Sequence, residues 1–133
     1  MPHVSISGEP YPLKTKRFFA LARIVSQKSN HPIPLGAVVV QKGKVVSVGY
    51  NRQYKTHPIS NTWTRTLHAE MDSVIGVDRG VIRSGDVYVY REDSHGVPKM
   101  AKPCLHCQHV LRAAGIRKVF YTIINNQIGV MKL

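Results

Sequence analysis

Two short stretches hold residues able to do chemistry: "TLHAEMDSV" at 66–74 and "KPCLHCQHVL" at 102–111. The first sets His68 and Glu70 two residues apart at the head of an apolar helical pattern. Alone, such a pair serves as a helix cap and a solvated charge. The second holds the only two cysteines of the chain, Cys104 and Cys107. A two-residue gap is too local to staple a fold, so C-x-x-C here reads as metal or redox chemistry. A redox pair sits at a helix start directly after a strand. The preceding "REDSHGVPKMAKP" at 91–103 is a long polar loop instead, which favours the metal.

Cysteines three apart on a helix present both sulfurs on one face. A thiolate at a helix N-terminus is stabilised by the helix dipole and by a nearby cation. If the two helix starts converge, His68, Cys104 and Cys107 become three ligands for one Zn²⁺ with its fourth position open. Three protein ligands and a water make a catalytic site, whereas a structural site closes the fourth position. The water's pKa would fall toward ~7. Glu70, close to a ligand but not one itself, is then placed to take a proton from that water and pass it to a leaving amine. His31, His57, His106 and His109 are further imidazoles; His106 lies between the cysteines and is expected to point away from the metal.

These stretches need elements to position them. Residues 13–28 place Phe18, Phe19, Leu21, Ala22 and Val25 on one helical face. "SNHPIP" at 29–34 ends that helix with its prolines. "LGAVVVQKGKVVSVGYN" at 35–51 reads as a β-hairpin turning at Lys42-Gly43-Lys44. A polar and aromatic loop spans 52–65. A second helix is expected over 67–78, a third strand over 86–92 and a third helix over 104–114. Pro103 falls in the first turn of that third helix and Gly115 ends it. A fourth strand is expected over 118–123, then an Asn-Asn turn and a short fifth strand. The order α-β-β-α-β-α-β-β predicts an α/β protein, one domain over 1–133, with helices covering a five-stranded sheet.

With 43% hydrophobic residues the chain is expected to be globular and not disordered. The basic N-terminal stretch could pass for a signal peptide, but Arg23 interrupts its apolar part and no small-residue cleavage site follows. No apolar run reaches the ~18 residues of a membrane span, so a cytoplasmic location without a membrane partner is expected. Nineteen Lys and Arg against seven Asp and Glu give a net charge of +12. That surplus points to a polyanion, most simply nucleic acid, whose phosphates attract Lys and Arg. The loops "SNHPIP" and "YKTHPISNTW" are expected at the pocket mouth, bringing His31, His57 and Trp63. Rings beside cations suit single-stranded nucleic acid, where bases stack and phosphates pair.

"HAE" at 68–70 with "PCLHC" at 103–107 resembles the H-x-E…P-C-x-x-C signature of the zinc-dependent cytidine deaminase superfamily. The resemblance extends to element order from about residue 16 onward. It implies a three-layer αβα fold with a five-stranded mixed sheet, one Zn²⁺ per chain, and hydrolytic loss of an exocyclic amine from cytosine or adenine. It further implies that Asn51, ending "GYN", contacts the sugar, and that Ala69 and Pro103 line the substrate pocket beside the ligands. Only ten residues follow Ile123, so the last two strands should form an antiparallel hairpin. That resembles the cytidine-deaminase branch and its nucleic-acid-acting relatives. Free-cytidine enzymes of that branch typically use three cysteines, whereas His68 stands first here. Adenosine deaminases usually carry Glu where this chain has Lys102. The expected activity is cytosine-to-uracil deamination in single-stranded DNA or RNA. The alternatives are a deaminase of free deoxycytidylate or cytidine, and a non-catalytic zinc module that binds nucleic acid.

Overall fold

The structure is a computed structural model and describes residues 4–7, 13–53, 66–124 and 127–133. In chain order the elements are β1 (Val4–Ser7), α1 (Leu13–Ser26), β2 (Leu35–Gln41), β3 (Lys44–Tyr50), β4 (Arg52–Gln53) and β5 (Thr66–Leu67). They continue with α2 (Ala69–Val74), α3 (Arg79–Ile82), β6 (Asp86–Arg91), α4 (Leu105–Ala113), β7 (Lys118–Thr122) and β8 (Ile128–Lys132). The main sheet runs β1-β8-β7-β6-β2-β3, with β6 and β7 parallel and the other neighbours antiparallel.

The central strands are apolar on both faces, as a sheet covered on both sides requires. Val38 and Val40 of β2 and Tyr88 and Tyr90 of β6 point toward α1, where Phe18, Phe19 and Ala22 meet them. Tyr88 stacks on Phe120 at 4.6 Å between ring centroids, with Phe18 at 5.0 Å. The alternate residues, Ala37, Val39, Val87 and Val89, face Ala69, Val74, Ile82 and Leu111 of α2, α3 and α4. The period-two pleat thus splits two apolar runs into two cores, and the three-layer αβα arrangement follows. The hairpin turns through Lys42 and Gly43, at φ 52° and 78°, the two left-handed positions of a tight turn. β7 and β8 form the antiparallel hairpin expected of the last two strands; its Asn-Asn turn lies outside the described residues.

Four details depart from the sequence expectations. The sheet has a sixth strand, β1, paired antiparallel to β8. Thr66 and Leu67 form β5, paired with β4, so the second helix begins later than residue 67. That helix also ends early, at Val74, because Ile75 is extended and Gly76 takes φ 76°. The chain restarts as α3, where the Asp78 carboxylate accepts a hydrogen bond from Gly80 N at 2.7 Å. Finally, Pro103 precedes the third helix and does not sit inside it. Cys104 is the N-cap of α4, its sulfur accepting from Cys107 N at 3.5 Å.

One close approach sets the depth of α2. A Cβ on Gly49 of β3 would collide with the backbone of Ser73 and Ala69. Only glycine lets α2 lie this near the strand. Gly49→Ala is therefore expected to push α2 outward, costing about 3 kcal/mol and scattering the residues that α2 carries. A urea midpoint equal to wild type would show that α2 has slack to spare.

Candidate active site

Two backbone features bring the chemistry-bearing residues together. His68 is the N-cap of α2, with its backbone extended and its side chain free of any capping bond. Cys104 is the N-cap of α4 and Cys107 lies one turn along it. α2 and α4 pack side by side, so both helix starts open on the same point. His68 Nδ1 lies 3.1 Å from Cys107 Sγ and 3.7 Å from Cys104 Sγ. The three donor atoms all fall within 4.8 Å of one another.

The electrostatics of this cluster test whether a metal fits it. Burial, followed by the neighbouring imidazoles His106 and His31, lowers the pKa of His68 and favours the neutral ring that ligates metal. Burial pushes the Cys107 thiol up, and the nearby Glu70 and Cys104 add to that. Burial likewise raises the Glu70 carboxyl, opposed by hydrogen bonds from its own backbone and from Cys107. Two thiols and a carboxyl are thus crowded together, and among the described residues no Lys or Arg acts on Glu70 or Cys107 to offset them. A divalent ion supplies the missing positive charge, and a Cys₂His donor set suits zinc.

Glu70 is 3% exposed, and it lines a cavity of about 260 Å³ with His31, Ile33, Leu35, Asn51 and Lys102. His68, Ala69 and Cys104 complete that lining. Pro103 is buried between two lining residues, its carbonyl accepting from Gln108 Nε2 at 2.9 Å. His57 and Trp63 lie outside the described residues. His106 is exposed, and His109 lines a different, largely apolar groove with Val74, Ile75 and Ala113.

Asn51 is buried and its amide is almost fully engaged. Its Oδ1 accepts from Ser29 Oγ at 2.6 Å and Leu35 N at 2.9 Å, while Nδ2 donates to Ile33 O at 2.8 Å. It therefore pins the 29–35 segment that forms one wall of the cavity. One amide hydrogen has no partner among the described residues. Asp72, which the sequence reading passed over, ties α2 to the end of β3. Its Oδ2 accepts from Tyr50 N at 3.1 Å and from Arg52 Nη2 at 3.2 Å. The Arg52 guanidinium also covers the Tyr50 ring at 4.4 Å. No local pattern announces this bracket, because its partners lie about twenty residues apart. Among the described residues, no helix is long and apolar enough to cross a membrane.

Residues 13–123 match the model of the cytidine and deoxycytidylate deaminase zinc-binding region. The "Uncharacterized deaminase in luxG 3'region" of Aliivibrio fischeri is 30% identical over 115 residues, covering 79% of this chain and 69% of that one. Among solved structures, the dCMP deaminase of the cyanophage S-TIM5 aligns with a TM-score of 0.62 at 24% identity, over 84% of both chains. The same phage enzyme has been solved with dCMP and dUMP. The cytidine deaminase of Burkholderia pseudomallei aligns with a TM-score of 0.65 at 20% identity, over 88% of this chain and 91% of that one.

Proposed function

The chain belongs to the zinc-binding cytidine and deoxycytidylate deaminase family, and from that membership we propose that it hydrolyses the exocyclic amine of cytosine, giving uracil and ammonia. The observation that carries this reading is the buried Glu70 beside a Cys₂His cluster on one cavity. A purely structural zinc site would have no use for a buried carboxylate that is not a ligand. A zinc ion bound by His68, Cys104 and Cys107 supplies Lewis acidity that brings the pKa of a water toward ~7.

The remaining work falls to the protein's own groups. A Glu70 Oε accepts the proton of the attacking water as its oxygen bonds to C4 of the ring. The same carboxyl then delivers a proton to the departing amine nitrogen as the C4–N bond breaks. Ala69, with almost no side chain, leaves room for the ring beside Glu70. Asn51 offers its uncommitted amide hydrogen to the sugar. The roomy mouth by His31 and Lys102 stays open for the rest of the nucleotide.

The substrate we favour is cytosine in single-stranded nucleic acid, DNA before RNA. The net charge of +12 supports it, since one free nucleotide needs far less positive charge. A duplex would first have to extrude its base at a cost of about a few kcal/mol. A second reading, a deaminase of free deoxycytidylate, is favoured by the single-base size of the cavity and by the substrates named for the structural neighbours. The test offers zinc-loaded protein single-stranded DNA, single-stranded RNA and deoxycytidylate in parallel, with products read by nucleoside mass spectrometry. Uracil in the polymers is the expected result. Conversion of the monomer alone selects the second reading, and no product in any arm overturns both.

A further inference from the structure

The cavity mouth is chemically one-sided. Among the described residues that line it, Lys102 is the one Lys or Arg and Glu70 the one Asp or Glu. Glu70 is buried and belongs to the interior. Lys102 is exposed and has no ion pair or hydrogen bond among the described residues. Three residues earlier, Lys99 is spent on Asp93 at 3.7 Å. Among the described residues, the mouth therefore holds an unneutralised cation with no exposed carboxylate beside it.

The second lining group is His31, and its proton is placed by the fold. Ile33 N donates to His31 Nδ1 at 3.0 Å. With Nδ1 an acceptor, the neutral ring carries its hydrogen on Nε2 and presents a donor there. The position of His31 is in turn held from behind. Its backbone N–H donates to Ser29 Oγ at 3.1 Å, and Ser29 Oγ binds Asn51 at 2.6 Å. The residues lining the cavity thus include an ammonium and an imidazole with an N–H to give, donor types suited to an anion of several acceptor oxygens.

We propose that Lys102 and His31 hold the phosphate of the target nucleotide, so that the site selects phosphorylated cytosine substrates over the bare nucleoside. This rests on the deaminase reading above. Phosphate oxygens reach the mouth from either source, a free monophosphate or the diester of a strand. Lys102 supplies charge and His31 supplies direction. Because Lys102 is exposed, its hold weakens with ionic strength.

The experiment compares wild type, Lys102→Met and Lys102→Arg, all loaded with zinc. kcat/KM is measured for deoxycytidine, deoxycytidylate and a single-cytosine DNA strand. Binding of the unreactive products deoxyuridine and deoxyuridylate is measured by calorimetry. Lys102→Met is expected to lower the ratio of kcat/KM for deoxycytidylate over deoxycytidine by about 10–100-fold, mostly through KM. Lys102→Arg should restore most of it. A matching fall for the strand makes its diester a source as well; a fall for the monophosphate alone limits the contact to free nucleotides. Equal losses on the nucleoside and both phosphorylated substrates, or an unchanged ratio, overturn the assignment. If wild type turns over nothing, the deaminase reading fails and the binding arm decides. Preference for deoxyuridylate lost in Lys102→Met then supports the phosphate contact, and no preference refutes it.

Discussion

Glu70→Gln is expected to abolish turnover while leaving the zinc in place. The substitution keeps the shape of a side chain that is 3% exposed and removes only its ability to carry a proton. The reaction needs that proton moved twice, from the water and then to the leaving amine. General acid–base catalysis by one positioned group is worth about 10²–10⁴-fold, and in the proposed reaction one group does both transfers. A fall in kcat of at least that size, with metal content unchanged by atomic absorption, is the expected pair of results. Folding should survive, since a neutral amide is easier to bury than a carboxylate. Loss of zinc would make Glu70 a ligand, and retained turnover would place the proton transfer elsewhere.

Cys107→Ser is expected to cost both the metal and much of the stability. Cys107 is fully buried and its sulfur lies 3.1 Å from His68 Nδ1, so no exposed side chain can stand in for it. Whatever binds the folded state alone stabilises it by mass action, by about 4 kcal/mol when free zinc exceeds its dissociation constant a thousandfold. For a chain of this size that is roughly 10–15 °C of Tm. Wild type treated with a chelator should fall by a similar amount, while the variant, already without metal, should not respond. Both thiols must lose protons to ligate, so zinc uptake releases protons and weakens as pH falls. A variant that still holds one zinc per chain would show the ligand set to be different.

The two predictions draw on different levels of the molecule. The ligand types and Glu70 are legible in "HAE" and "PCLHC", because metal chemistry restricts which side chains can serve and helix geometry restricts their spacing. The two-sided sheet is legible too, since the runs Val38–Val40 and Val87–Tyr90 alternate between α1 and the other helices. Local periodicity encodes such elements directly. What the sequence could not decide was every feature that depends on a distant partner. β1 is four residues long, and its pairing exists only because β8 runs alongside it. α2 stops at Val74 because Gly76 takes a left-handed conformation, which its residue type permits without requiring.

The site divides the same way. Spacing alone could put two sulfurs on one helix face, but only the packing of α2 against α4 brings His68 Nδ1 to them. The resemblance singled out Asn51; the tertiary structure shows that most of its amide is spent bracing the 29–35 wall. Lys102 drew notice in the sequence only as a departure from a familiar pattern. The fold makes it the unpaired cation among the described residues that line the cavity. The sequence by itself determined which chemistry the chain can hold, because that depends on residue types at short range. The tertiary structure alone decided which of its charges line the cavity, because that depends on contacts between segments far apart in the chain.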